Sequence, residues 1–264
     1  ILVMNDYSFL LTPHTAFVKG LCGVWSNDFY INDDSDSDLG QTDVHLLSSP
    51  HLNIISDPNE LASKLKGLLM LMNGALSVLH GFERYKSYGP LSISGSDGIN
   101  YSEICGFKSM NVTQINPFNF HGIQQPHPRA DNFSRLINLS SKHESLRVVL
   151  GMCALGDDWV NLYRLWETIR EYVYDKYVKG VLNISSANKS KKYQRDKIIS
   201  MAFNIDEKEI SRFTGTANSF ELLGYLARHG KGSPGGMLKK PMSRLDASIF
   251  VHNATYRFCK LFLM

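Results

Sequence analysis

"DDWVNLYRLWETIREYVYDKYV", residues 157–178, decides the fold class of the second half of this chain. Trp159, Leu162, Tyr163, Trp166, Ile169 and Val173 recur at helical spacing, so one face of the segment is apolar and aromatic. Arg164, Glu167, Arg170, Glu171 and Asp175 fall on the other side. Asp157 or Asp158 stands where a carboxylate can accept the first free backbone N–H groups of the helix. A long helix with so broad an apolar face needs other helices to cover it.

The sequence on either side supplies them. "ESLRVVLGMCAL" (144–155) is helical by period, and further helices are expected at 193–204, 206–217, 219–228 and 243–261. The last is capped by Ser243 with Asp246 three residues on, a relative of the capping box. Leu245, Ile249, Tyr256, Phe258, Cys259 and Leu261 should pack it into a bundle, with His252 at the core edge.

Toward the N-terminus the period changes. Asp57, Pro58 and Glu60 mark a helix start, and Leu61, Leu65, Leu68, Leu69, Met72, Leu76 and Leu79 form its apolar stripe before Gly81. Ahead of it, "AFVKGLCGVW" (16–25) and "VHLLSSPHLNII" (44–55) read as strands flanking the acidic loop "NDDSDSDLGQTD" (32–43). Beyond it, "GPLSISGSDGINYSEICGF" (89–107) alternates around Asp97-Gly98 as a β-hairpin does, and "MNVTQI" (110–115) reads as one more strand. "NPFNFHGIQQPHPRAD" (116–131) is broken by Pro117, Pro126 and Pro128 and reads as a linker. The expected architecture is therefore α+β. Residues 1–125 form a small antiparallel sheet with one long helix, and residues 126–264 form an all-helical bundle.

Composition narrows the function classes. The 264 residues are 43% hydrophobic and 20% charged, as in a globular protein, and no run of about 18 apolar residues exists to cross a membrane. The expected setting is cytoplasmic. The chain opens Ile1-Leu2-Val3-Met4, and the natural start is expected at Met4 or upstream of Ile1. Cys22, Cys105, Cys153 and Cys259 are too widely spaced for a disulfide framework or a zinc site and read as reduced thiols. Asp33, Asp34, Asp36 and Asp38 lack the Gly and Glu positions of a calcium loop, and His121 and His127 have no third ligand near them. No metal and no cofactor is expected. Phosphate-cradling GxxxxGK[ST], HExxH and GxSxG patterns are absent, and no GxGxxG stands between a strand and a helix.

The net charge of +3 hides an asymmetry. Residues 1–130 hold 7 Lys and Arg against 12 Asp and Glu, a balance of −5, and residues 131–264 hold 21 against 13, a balance of +8. Either the second half has an anionic partner or the halves attract each other.

Two segments carry candidate chemistry. "NKSKKYQRDK" (188–197) places Lys189, Lys191, Lys192, Arg195 and Lys197 around Tyr193, a pattern that follows a phosphate backbone while a ring stacks on a base. In "ARHGKG" (227–232), Arg228 and His229 precede Gly230 and Gly232, where the backbone can approach a ligand closely. There Arg228 and His229 are the candidate catalytic pair, with Asn218 as polar helper and Lys231 as a charge on a phosphate oxygen. The ordinary explanation is a helix end, where cations and glycine are both favoured.

"DDWVNLYRLWETI", "FTGTAN" (213–218), "ARHGKG" and "KKPMS" (239–243) together resemble a group of uncharacterised bacterial proteins with a Trp-x-Asn-Leu-Tyr-Arg helix and a Thr-Ala-Asn…Ala-Arg-His element. The helical half and the "RHGKG" run are similar, more weakly, to HEPN-type helical domains, many of them toxin or antiviral ribonucleases. The hallmark of that group is an Arg followed by a His five to seven positions on. This chain departs from it, since Arg135 and His143, like Arg244 and His252, are eight apart. The bacterial group supplies no function of its own. The +8 balance, the basic run at 189–197 and the HEPN likeness together lead to the expectation of a bacterial intracellular interaction protein of defence or stress response, whose basic helical half binds RNA or another polyanion, with a homodimer through that half also expected. The alternative is a HEPN-like ribonuclease or phosphotransfer enzyme using Arg228 and His229.

Overall fold

A computed structural model describes residues 7–13, 15–35, 44–94, 116–119, 128–180, 191–231 and 240–264. The chain divides into two compact units, one running to Ala154 with Leu263, the other Leu155–Phe262 with Met264. The fold is α+β, with a small antiparallel sheet and a long helix in the first half and helices in the second.

In the first unit, strands β1 (Phe9–Thr12), β2 (Tyr30–Asp33), β3 (His45–Ser48) and β4 (Ser92–Ser94) form one sheet in the order β2-β3-β1-β4. All neighbours are antiparallel, and Leu47 lies opposite both Phe9 and Ile31. Phe9, Leu11, Ile31 and Leu47 are buried, so alternate side chains of β1 and β3 and Ile31 of β2 line the core. Helix α1 is the turn Ala16–Lys19. Here "AFVK" is not a strand: Thr15 Oγ1 accepts from the Val18 N–H at 3.4 Å and caps a helical turn, and the strand lies further on at β2. The Asp97-Gly98 hairpin and "MNVTQI" lie outside the described residues.

Helix α2 (Pro58–His80) begins where local chemistry demands. The Asp57 carboxylate accepts from the N–H groups of Asn59 at 2.7 Å and Glu60 at 2.9 Å, and Pro58 occupies a position that needs no donor. Leu61, Leu65, Leu68, Met72 and Leu76 are buried, while Leu69 and Leu79 lie at the margin. Along 71–78 every residue is buried, so this end of α2 is enclosed and not merely laid on a face. Two later helices, α4 (Asn132–Lys142) and α5 (Glu144–Cys153), pack against it, following the short α3 (Phe82–Tyr88). Helices α4 and α5 therefore fall in the first compact unit, packed on α2.

In the second unit every described element is helical: α6 (Trp159–Gly180), α7 (Lys191–Phe203), α8 (Glu207–Asn218), the single turn α9 (Phe220–Leu223) with a 3-10 turn at Gly224–Leu226, and α10 (Arg244–Leu263). Its core centres on Phe213, whose ring lies 6.3 Å from Trp159, 6.1 Å from Tyr163, 6.1 Å from Trp166 and 5.1 Å from Phe250. All six apolar positions expected on α6 are buried.

Three expectations for this unit change. Arg170, expected on the solvent side of α6, is buried, with Asp196 of α7 at 2.8 Å. The helix expected over 219–228 stops at Leu223, because Gly224 takes a left-handed φ of 56° that ends the turn. On α10 the buried row is Ala247, Ser248, Val251, Ala254, Thr255, Phe258 and Cys259, whereas Leu245 and Ile249 are 56% and 51% exposed. A row rich in small residues admits neighbouring backbones, and the bulkier side chains stand outside. Among the described residues, no helix is long and apolar enough to cross a membrane.

Candidate functional site

Arg228 and Asn218 meet at Tyr163 on α6. Helix α8 ends at Asn218, and Ser219 turns the chain, its hydroxyl accepting from the Leu222 N–H at 3.4 Å. After the 3-10 turn, the Arg228 N–H donates to the Ala217 carbonyl at 2.9 Å, which brings Arg228 back beside the end of α8. Its guanidinium lies over the Tyr163 ring, 4.3 Å from the centroid, and its Nη2 meets Glu167 Oε2 at 3.1 Å. Glu167 stands one turn beyond Tyr163, so one helix face supplies both the ring and the carboxylate.

Such a pair near the surface adds only about 0–1 kcal/mol to stability. Its consequence is orientation. The Arg228 side chain is 32% exposed and is held flat by a ring below and a carboxylate at one edge. Nη1 of Arg228 lies 3.1 Å from Nε2 of the exposed His229. A guanidinium can only donate, so this bond uses the Nε2 lone pair and leaves the ring proton on Nδ1. Lys231 follows, exposed.

Asn218 is not turned toward His229. Its Nδ2 donates to the Tyr163 hydroxyl at 3.5 Å, and its Oδ1 is buried without a hydrogen-bond partner among the described residues. Arg228 and Asn218 therefore converge on Tyr163, and His229 lies at the rim. Tyr163 and Glu167 belong to this arrangement although sequence placed one in the core and the other on a solvated face. The only hint was their spacing of one helical turn on the residue face nearest Arg170.

The basic run is partly neutralised. Arg195 meets Glu171 of α6 at 2.5 Å and stands over the Tyr174 ring at 5.5 Å, and Asp196 holds Arg170. Lys197 is exposed. Lys189 lies outside the described residues, as do the side chains of Lys191, Lys192 and Tyr193, whose backbone opens α7. One face of α6 thus carries Tyr163, Glu167, Arg170, Glu171 and Tyr174, a polar seam with a stacked arginine at each end.

The first unit holds a different cluster. His51 Nε2 lies 3.0 Å from Asp28 Oδ1, Asn138 Nδ2 donates to Asp28 Oδ2 at 3.0 Å, and the Asn119 N–H donates to His51 Nδ1 at 3.4 Å. The last bond places the ring proton on Nε2, facing the carboxylate. With side chains 0% and 2% exposed and both ring nitrogens engaged, the pair belongs to a buried hydrogen-bonded network. A shallow groove of about 210 Å³ lies elsewhere in this unit, lined by residues that include Trp25 and Tyr30, with Arg129 5.5 Å from the Trp25 ring. Among the described residues, no three His, Cys, Asp or Glu side chains are grouped to hold a metal ion. Asp36, Asp38, His121 and His127 lie outside them.

Comparison of the chain with protein families, with curated proteins and with solved structures finds no match.

Proposed function

We propose that the second unit binds a polyanion such as RNA, with Arg228, His229 and Lys231 at the end of the site where a phosphate is held. The observation that carries this is Arg228, fixed over Tyr163 and tied to Glu167 while a third of its side chain stays open to solvent. A guanidinium held in one orientation loses less freedom on meeting a phosphate than a mobile one. Charge supports the reading, since residues 155–264 hold 18 Lys and Arg against 11 Asp and Glu. The resemblance to the bacterial Trp-x-Asn-Leu-Tyr-Arg group and to HEPN domains supports an intracellular bacterial setting of defence or stress response. The ribonuclease alternative is less well supported, because Arg228 and Asn218 are directed at Tyr163 and not at a pocket beside His229.

The test is fluorescence anisotropy with a labelled RNA over a salt series. Affinity should fall linearly with salt on logarithmic axes, and the double variant R228A/K231A should lower that slope by about 2. Absence of binding at low salt, or an unchanged slope, overturns the proposal. Cleavage of the same RNA that is lost in H229A moves the assignment to the enzyme reading.

A further inference from the structure

We infer that the polyanion is taken as a single strand, with an unpaired base stacked on Tyr225. This rests on the reading just proposed and adds the form of the ligand. Tyr225 is 98% exposed, and its neighbours Leu222 and Leu226 are 46% and 62% exposed. Leaving a large ring and two leucines largely in water forgoes the stabilisation that their burial would give, and exposed apolar groups of this kind mark interaction surfaces.

The exposure does not belong to a loose tail. The segment is capped by Ser219, closed by the Ala227 N–H to Gly224 carbonyl bond at 3.1 Å, and anchored by Arg228 on Ala217. Phe220 meets Tyr225 edge to face, with centroids 6.0 Å apart and planes at 86°, so the ring is oriented by a neighbour. Arg228, His229 and Lys231 follow within six positions, and Glu221 is the exposed acidic residue of the segment.

An exposed aromatic followed by Arg228 and Lys231 three and six positions on suits unpaired nucleotides for two physical reasons. Every base presents a π-face, so stacking on a tyrosine needs no particular sequence, while the cations meet the adjoining phosphates. A duplex keeps its base faces stacked on one another and offers the ring nothing.

The experiment compares a short uridine oligonucleotide with a blunt RNA duplex of equal length, at one salt concentration, against the wild-type chain, Y225A and Y225W. The single strand should bind more tightly than the duplex. Y225A should weaken it by about tenfold or more while leaving the salt slope and the duplex affinity unchanged. Y225W should retain binding, with more fluorescence quenched by the oligonucleotide than in the wild type. Circular dichroism should be unaltered, since the ring is exposed. Equal affinity for both nucleic acids, or full single-strand affinity in Y225A, overturns this inference and leaves polyanion binding standing. Failure of both nucleic acids to bind at low salt removes the polyanion reading as well. A dimer that Y225A converts to monomer without altering RNA affinity assigns the patch to a second copy and overturns the inference.

Discussion

At Gly74 two known effects of a methyl group oppose each other. In a helix interior Ala is favoured over Gly by about 1 kcal/mol. Here, however, a Cβ would lie 1.9 Å from the carbonyl oxygen of Leu150, a backbone atom of α5 that cannot turn aside. Overpacking of this kind costs about 1–3 kcal/mol or more, so the steric effect wins. G74A should lower the urea midpoint, and a neutral or stabilised variant would show that α2 and α5 separate easily. The neighbouring Asn73 has an equally non-local task, its side chain pairing with both the N–H (2.7 Å) and the carbonyl (2.9 Å) of Leu91. Neither role is visible in sequence, where the Asp57 cap was plain, because a cap is local and these contacts are not. Two buried protons give a pH prediction. Burial pushes the Cys259 thiol from 9.0 up to about 12 and the Tyr85 hydroxyl from 10.0 up to about 12. Below about pH 9 both states keep these protons and neither group matters. Above it the unfolded chain ionises first, so unfolding is favoured as pH rises toward 12. The Tm followed by circular dichroism should decline steadily from about pH 9 to about pH 11, less steeply in Y85F. A flat profile would show that both groups ionise in the native state.

Elements were legible in proportion to how much of their information is local. Helix α2 was readable end to end, since a 3.6-residue period, a cap and a stop signal lie within the segment, and α6 was readable from its period and its Asp158 cap. The length and cap of α10 were equally plain, but its buried face was not. Leu245, Ile249 and Tyr256 make the more hydrophobic stripe, yet packing selected the neighbouring row of Ala247, Ser248, Val251 and Ala254, whose small side chains allow close approach. The strands were least legible. Each described strand has three or four residues, and pairing with distant partners decides which short apolar run is used, so β2 displaced "AFVKGLCGVW" and β1 went unexpected. The candidate site divides the same way. Arg228 and His229 stood out by their glycine-rich surroundings, whereas Tyr163 and Glu167 joined them only through the return of the chain to the end of α8. The basic run looked uniform in sequence, and the alignment of α7 with α6 is what ties Arg195 to Glu171 and Asp196 to Arg170.

At the scale of the whole molecule, each unit has a core of its own. The first is built from Leu68, Met72, Leu136, Val149 and Leu150 together with the inner face of the sheet, and the second from the aromatic rings around Phe213. Phe213 is fully buried and joins α8 to three rings on α6 and one on α10. Truncation to Ala should cost about 3–5 kcal/mol, a large part of the stability of a domain this size. Units with separate cores open separately, so the loss should be local. In F213A, hydrogen exchange read by mass spectrometry should accelerate through α6, α8 and α10, while peptides from α2 and α5 keep their wild-type protection. On the proposed polyanion reading, RNA affinity should fall in parallel, because Arg228 depends on Tyr163 and on the end of α8 for its orientation. Equal loss of protection in α2 and α5 would mean that the two units unfold as a single cooperative block, and a core mutation in either would then be felt at the Arg228 site.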